Sequence, residues 1–140
     1  MNRYSLLFGL YFCVTGITSF AQDTRTQYPI DKKYKSCIDS NGSTVGMTEC
    51  MSAATKEWDK ELNKYYKLLM AKLDATAQSS LREAQRQWIV YREKETKFYM
   101  DAYATNDGSM WGLAIATRAM NIIRQRAIEL IEYYDTLTQN

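Results

Sequence analysis

A chain of 140 residues, 46% of them hydrophobic, can build one domain around a single core, and a second domain is not expected. Its formal net charge of +2 lacks the basic excess that is typical of nucleic-acid-binding domains. The sequence contains no histidine, the commonest general base near neutral pH and the commonest metal ligand. Hydrolases that depend on histidine are therefore excluded, and neither a metal nor another cofactor is expected.

The first 21 residues have the pattern of a secretory signal peptide. Arg3 supplies a basic start, the stretch from Leu6 to Ile17 is mostly apolar, and Ser19 and Ala21 are the small residues that a signal peptidase requires. A membrane anchor is the alternative, but the apolar run is shorter than the about 18 to 20 residues needed to cross a bilayer. We therefore predict cleavage after Ala21, a secreted or periplasmic mature protein, and no stable membrane insertion after cleavage.

The mature chain begins with a polar segment, residues 22–36, which contains the only proline, Pro29, and has no periodicity. This composition predicts a flexible N-terminal arm, followed by a helical domain over residues 37–140. The beginning of that domain, residues 37–46, contains Asn41 next to Gly42 and is expected to form a loop.

Two cysteines, Cys37 and Cys50, remain after the predicted cleavage. An even pair in an oxidising compartment predicts a disulfide bond, and the short loop that it closes predicts a contribution of about 3 kcal/mol in the chain-entropy model. Two buried free thiols are the alternative interpretation.

Three long helices are predicted from apolar residues that recur at steps of three and four. The first begins near Thr44 or Val45 and ends near Leu73, with a stripe formed by Met47, Met51, Ala54, Trp58, Leu62, Tyr65, Leu69 and Leu73. The second runs from about Leu81 to Ala104 and starts at a capping box formed by Ser80 and Glu83.

The third predicted helix covers about Met110 to Leu137 and follows the clearest turn in the chain, residues 106–109. Gly108 can end one helix in a left-handed conformation, and Ser109 can cap the next. No alternation typical of strands is present. The predicted fold is all-α, with a long antiparallel helical hairpin and a third amphipathic helix packed on it.

Two polar faces on the hairpin are expected to meet. One carries Asp59, Asn63 and Tyr66 and the other carries Gln85, Trp88 and Arg92, each at helical spacing. An arginine can bind a carboxylate through two hydrogen bonds, and a partly buried charge requires such a partner. These six residues therefore form either a structural polar brace or a binding face. No catalytic residue and no metal ligand is predicted.

Aromatic residues are numerous, with eleven tyrosines and three tryptophans. An exposed aromatic patch often marks a contact with a protein or glycan. The candidates for such a patch are Tyr99, Tyr103, Trp111, Tyr133 and Tyr134.

The order of these motifs resembles the small secreted bacterial proteins of the LprI-like lysozyme inhibitor family. The resemblance covers about Cys37 to Leu130. It depends on TVGMTEC and WDKELNKYY in the first long helix and on LREAQRQWIVYRE in the second. It also depends on a set of separate positions, namely Asp59, Leu62, Asn63, Tyr66, Gln85, Trp88, Arg92, Gly108, Ser109 and Arg126.

The chain departs from the family pattern at two positions. The resemblance implies a cysteine shortly after Arg92 and another early in the third helix, where this chain has Thr96 and Arg118. Since both are missing together, we interpret the change as the loss of one whole disulfide, which leaves Cys37 and Cys50 as the other.

The resemblance implies a non-enzymatic secreted protein whose partner is lysozyme or another envelope protein. Such a protein can inhibit by inserting a loop or an acidic face into the enzyme's cleft, because carboxylates attract a cationic lysozyme. The turn at residues 106–109 and the segment from Cys37 to Cys50 are the exposed elements expected to do so. The alternative is an envelope-associated module that binds a protein or peptide. The sequence does not determine the oligomeric state.

Overall fold

The computed structural model describes residues 28–104 and 108–139, in which four helices account for all regular secondary structure: α1 (Pro29–Ser40), α2 (Thr44–Lys72), α3 (Ala75–Tyr103) and α4 (Ser109–Thr138). The predicted all-α fold is confirmed, with α2 and α3 as the hairpin and α4 packed on it. Across both ranges, each helix is too short or too polar to cross a membrane. The predicted signal peptide lies outside the described residues.

α1 occupies most of the segment predicted to be a flexible arm, so that prediction is wrong for residues 29–36. Pro29 lies in the first turn of α1, where the missing N–H removes no helical hydrogen bond and the fixed φ favours the helix. The proline therefore starts a helix here. α1 also continues through Cys37 to Ser40, which reduces the predicted loop at residues 37–46 to residues 41–43.

A disulfide bond joins α1 to α2, as the sequence predicts. The Cα atoms of Cys37 and Cys50 are 5.8 Å apart, within the usual range for a disulfide. Ser43 caps α2 by accepting a hydrogen bond from the Gly46 N–H at 3.0 Å. The short loop and the disulfide together hold α1 against the first half of α2.

The turn between α2 and α3 differs from the prediction. Asp74 is the N-cap of α3 and accepts a hydrogen bond from the Ala77 N–H at 2.8 Å, so the helix starts six residues before the predicted Leu81. Ser80 lies inside the helix, and its hydroxyl donates to the Thr76 carbonyl at 3.3 Å. The predicted capping box is therefore wrong, because a better cap occurs one and a half turns earlier.

Gly108 adopts a positive φ of 111°, a conformation that favours glycine. It is the N-cap of α4 and does not end α3, whose C-cap is Ala104, so the predicted role as a helix end is wrong. Ser109 is the first residue of α4, and its side chain makes no capping hydrogen bond at the described helix start, so the cap assigned to it is wrong. The other two residues predicted to form this turn, Asn106 and Asp107, lie outside the described ranges.

The core lies between α2 and α4, which run parallel. Thr117 contacts Met51, and Tyr134 packs edge-on against Tyr65 at 5.7 Å between ring centroids, so both helices advance in the same direction. The buried cluster between them consists of Trp58, Leu62, Leu69, Ala127, Leu130 and Ile131. α3 runs antiparallel to both and lies at the edge of this core.

Candidate functional site

A half-open groove of about 940 Å³ lies between α1 and α4. Its walls combine apolar and charged side chains from both helices and from the residue before α1. The lining residues are Tyr28, Asp31, Tyr34, Lys35, Ile38, Asp39, Thr117, Met120, Asn121, Arg124, Gln125, Ile128, Glu129 and Glu132. The groove exists because α1 is a helix held beside α4, and the predicted arm would not have formed it.

An ion pair between Asp31 and Arg124 joins the two walls. The Arg124 Nε donates to Asp31 Oδ1 at 2.8 Å and its Nη2 donates to Oδ2 at 2.7 Å, which is the two-bond geometry of a strong arginine–carboxylate pair. Asp31 is buried and Arg124 is mostly buried. The guanidinium also lies 5.5 Å from the centroid of the buried Trp58 ring, against which Tyr28 packs edge-on. These contacts fix α1 to both α2 and α4.

The groove carries a net negative charge, because four carboxylates line it against two cations. Asp31 is paired with Arg124, Asp39 with Lys35 at 2.7 Å, and Glu129 with the buried Arg126 at 2.9 Å. Glu132 lies exposed on the rim. The exposed carboxylates give this surface the character that a cationic partner would bind.

Two tyrosines of the groove have raised pKa values. Burial raises the pKa of the Tyr34 hydroxyl. Burial is also the main cause that raises the pKa of Tyr28, and the negative charge of Glu132 adds to it. Both hydroxyls therefore remain neutral hydrogen-bond donors throughout the physiological pH range.

The first predicted polar face does not meet the second. Asn63 is exposed, and its Nδ2 donates to the Asp59 carbonyl at 2.7 Å and to the Asp59 carboxylate at 3.1 Å. Both residues line a shallow depression formed by α2 alone. Tyr66, in contrast, packs against the α2–α4 core. The prediction that α3 binds Asp59 is therefore wrong, because Asn63 satisfies the carboxylate within its own helix.

The second predicted face contacts α4 instead. The buried Arg126 donates from Nε to Gln85 Oε1 at 3.0 Å and from Nη1 to Glu129 Oε2 at 2.9 Å. Trp88 packs against the core cluster, and the Arg92 guanidinium lies 5.1 Å from the Trp88 ring centroid. A polar brace therefore exists, but it joins α3 to α4 through Arg126.

The two positions interpreted as a lost disulfide make tyrosine contacts. The Tyr99 hydroxyl donates to Thr96 Oγ1 at 3.1 Å, and Arg118 Nε donates to the Tyr103 hydroxyl at 3.2 Å. Tyr103 also packs on Trp111 with ring centroids 5.1 Å apart. Hydrogen bonding and aromatic packing thus connect this end of α3 to α4.

The predicted exposed aromatic patch does not form as proposed. Tyr99 is buried, Tyr103 and Trp111 pack on each other, and Tyr134 packs on Tyr65, which leaves only Tyr133 exposed among the five candidates. The strongly exposed aromatic residues of α3 are Tyr91 and Phe98.

Sequence reasoning missed the pair of Asp31 with Arg124 and the groove around it. Two features of the sequence could have indicated them. Asp31 follows Pro29 by two residues, a pattern typical of the first turn of a helix. Arg124 lies within the apolar half of α4, where a charged side chain requires a partner. Metal binding has no support in the ranges 28–104 and 108–139, where no three potential ligand side chains gather.

These features define a disulfide-linked, all-α helical domain with an acidic interhelical groove. The family model described as lysozyme inhibitor LprI matches residues 37–130, and the chain belongs to this family. An uncharacterised protein of Rhizobium meliloti is 27% identical over 107 residues, which cover 67% of this chain and 76% of that protein.

A solved structure has the same fold. The crystal structure of an uncharacterised protein from Burkholderia thailandensis is similar with a TM-score of 0.74 at 30% sequence identity. The similarity covers 80% of this chain and 56% of that one, so the chain spans little more than half the length of its structural relative.

Proposed function

We propose that this protein is a secreted, non-enzymatic inhibitor of lysozyme. The observation that carries the proposal is the match of the LprI family model over residues 37–130, which include α2, α3 and most of α4. A catalytic role has no comparable support, because the sequence lacks histidine and its paired acids are engaged in ion pairs or lie exposed on single helices.

The groove between α1 and α4 is our proposed contact surface for lysozyme. Its rim presents Asp39, Glu129 and Glu132 beside an apolar floor that contains Ile38 and Ile128. Carboxylates on a rim attract a cationic enzyme and raise the association rate, while the apolar floor supplies area to bury. The neighbouring segment from Cys37 to Cys50 extends this surface, since the disulfide holds it beside the groove.

Titration of lytic activity tests the proposal. Chicken-type and goose-type lysozymes are assayed on bacterial cell walls with increasing amounts of the purified protein. We expect inhibition that weakens as salt is added, because salt screens the charges on the groove rim. No inhibition of either enzyme at micromolar excess would refute the inhibitor function and leave the fold unaffected.

Reversing the charge of single acidic residues tests whether lysozyme binds at the groove. Glu132→Lys changes an exposed rim residue of α4, and the matched control Asp101→Lys makes the same change on the exposed side of α3. We expect the rim variant to raise the inhibitory concentration about tenfold, as for a charge at an electrostatically guided interface, and the control to leave it unchanged. Equal effects of the two variants would move the contact away from the groove.

Export and cleavage form part of the proposal. We infer that the chain is secreted or periplasmic and cleaved after Ala21, since the first 21 residues have a basic start, an apolar stretch and small residues before the cleavage point. The intact mass of the exported protein should correspond to a chain that starts at Gln22 and carries one disulfide. A mass that retains residues 1–21 would contradict the cleavage.

A binding module for another envelope protein is the second candidate function. The observation that favours it is the half-open groove with an apolar floor, a shape that also accepts an extended or helical peptide. A lysozyme-free envelope extract passed over immobilised protein separates the two functions. A partner that is retained by the native chain and lost with Ile128→Asp would favour the module.

A further inference from the structure

The disulfide bond between Cys37 and Cys50 lies at the end of the groove wall that α1 forms. These two residues are the only cysteines after residue 21. Their bond joins the last turn of α1 to the first half of α2. Any thiol chemistry of the chain after the proposed cleavage therefore takes place at this bond.

α1 has few contacts that hold it in place apart from the disulfide. Asp31 is the only buried residue among the 12 of this helix. Ile30 packs on the core but is only partly buried, and the ion pair of Lys33 with Glu57 lies at the surface. A helix of this length is only marginally stable by itself in water. The ion pair of Asp31 with Arg124 near the start of α1 and the disulfide near its end are therefore the main contacts that keep it beside α4.

The two cysteines differ in their access to solvent. Cys50 is 3% exposed, whereas Cys37 is only partly buried. A thiolate that attacks a disulfide must reach the sulfur with which it forms the new bond. Attack is therefore expected at Cys37, which makes Cys50 the leaving thiolate. A buried thiolate is costly unless a hydrogen-bond donor stabilises its charge.

Asn41 supplies such a donor. Its Nδ2 donates to the Cys37 carbonyl at 2.8 Å and lies 3.4 Å from Cys50 Sγ and 3.7 Å from Cys37 Sγ. A side-chain amide has two N–H donors, so one can hold the carbonyl while the other faces the sulfur atoms. Gly46 makes room for this arrangement, because a Cβ atom there would lie 2.5 Å from Asn41 Oδ1. The amide is thus positioned to stabilise the Cys50 thiolate as it forms.

We propose that Cys37 is a site of thiol–disulfide exchange with a dithiol reductant, and that opening of the bond releases α1 and dismantles the groove. In the first step a thiolate of the reductant bonds to Cys37 Sγ, the bond to Cys50 breaks, and Cys50 leaves as a thiolate and takes up a proton. The second thiol of the reductant then displaces Cys37 as a thiol. The reductant loses two electrons and two protons and becomes a disulfide, and the two cysteines gain them.

The consequence for inhibition rests on the proposed function of the groove. A released α1 removes Tyr34, Ile38 and Asp39 from the groove lining, and Asp31 leaves its partner Arg124. Reduction therefore switches off the surface proposed to bind lysozyme.

The rate of reduction tests the role of Asn41. Free thiol is measured over time after dithiothreitol is added to the purified protein. Asn41→Ala should slow its release about tenfold, because the leaving thiolate loses a hydrogen bond. Gly46→Ala should also slow it, since the added methyl group displaces the amide. Asn63→Ala, which removes an exposed amide elsewhere on α2, is the matched control and should leave the rate unchanged.

The direction of the effect separates two roles for Asn41. A side chain that only shields the disulfide would give faster reduction when truncated. An unchanged or faster rate in Asn41→Ala would therefore overturn the assigned role.

The position of attack is tested with glutathione. The native protein is exposed to glutathione briefly, the reaction is stopped with acid, and peptides are analysed by mass spectrometry. The glutathione adduct is expected on Cys37. Equal amounts on Cys37 and Cys50 would contradict attack at the more accessible cysteine.

Hydrogen exchange tests the release of α1. Reduced protein and the double variant Cys37→Ser/Cys50→Ser should both lose protection over residues 29–40, whereas the middle of α2 and of α4 should keep it. Protection of α1 equal to that of the oxidised native chain would overturn the proposal.

The double variant also separates this proposal from the proposed function. It is assayed against lysozyme beside the native chain without reductant. Loss of inhibition in the variant alone would support the switch, and equal inhibition by both proteins would overturn it. A native chain that does not inhibit would refute the proposed function, while the release of α1 on reduction would still be decided by hydrogen exchange.

Discussion

The contact between α2 and α4 differs sharply from the contact that α3 makes with both. α2 buries seven residues and α4 buries five, whereas α3, which is as long as α2, buries one. The α2 and α4 faces are apolar and include small residues such as Ala54 and Ala127, which allow close approach. The inner face of α3 carries Gln85, Arg92 and Thr96 and approaches through polar and aromatic side chains. Stability is therefore concentrated in α2 and α4, and α3 contributes less to it.

The largest expected difference between the two regions comes from a core truncation. Leu130→Ala removes a side chain that is 0% exposed between α2 and α4 and should lower the free energy of unfolding by about 3 to 5 kcal/mol. The matched control Val90→Ala truncates an exposed residue of α3 and should change it by about 0.5 kcal/mol or less. Urea unfolding measures both. Similar losses would mean that α3 is packed as closely as α4.

The attachment of α1 to the core should be the next most sensitive contact. Asp31→Ala leaves the mostly buried Arg124 without its carboxylate and should lower the free energy of unfolding by about 3 kcal/mol. Asp39→Ala removes an exposed partner of Lys35 on the same helix and should cost about 0.5 kcal/mol or less. Thermal and urea unfolding measure the two losses, and equal losses would contradict the role assigned to Asp31.

A smaller loss is expected where α3 meets α4. Gln85→Ala removes the acceptor of the Arg126 Nε inside a buried environment and should cost about 2 kcal/mol, the range for a buried donor left unsatisfied. Gln87→Ala, on the exposed side of α3, loses only a hydrogen bond to Glu83 and serves as the control. Urea unfolding would refute the brace through Arg126 if the two variants proved equally stable.

The smallest effect is expected at Arg92. This side chain lies over Trp88, and Arg92→Ala should lower the free energy of unfolding by about 0.5 to 1 kcal/mol, as for a partly exposed cation–π contact. Arg86→Ala, which removes an exposed residue paired with Glu83, provides the baseline. A loss of several kcal/mol in urea unfolding for Arg92→Ala would indicate a buried ionic partner such as Asp59 after all.

Periodicity in the sequence predicted the three long helices, and the cysteine count predicted the disulfide. The apolar stripes predicted the all-α fold and a start of α2 near Thr44 or Val45, and the helix begins at Thr44. α1 was missed because Pro29 is compatible both with a mobile segment and with the first turn of a helix. Local sequence does not distinguish these cases, since the contact that stabilises α1 is an ion pair 93 residues away along the chain.

Partner choice was harder to predict than secondary structure. A helical stripe identifies which face is buried, but several neighbours can cover it. Asp59 required a partner, and the nearest in space is Asn63 one turn along its own helix. Gln85 also required a hydrogen-bond partner, and that partner is the buried Arg126 of α4. Asp59 and Gln85 both belong to the positions that carry the family resemblance. Only the folded structure shows which residue each of them contacts.

Hydrogen exchange tests the difference between the regions most directly. Amide protons in the middle of α2 and α4 should exchange only through global opening of the protein. Amide protons of α3 near Tyr91 and Phe98 should exchange through local opening and be less protected. Protection of α3 equal to that of α2 and α4 would contradict the concentration of stability in α2 and α4.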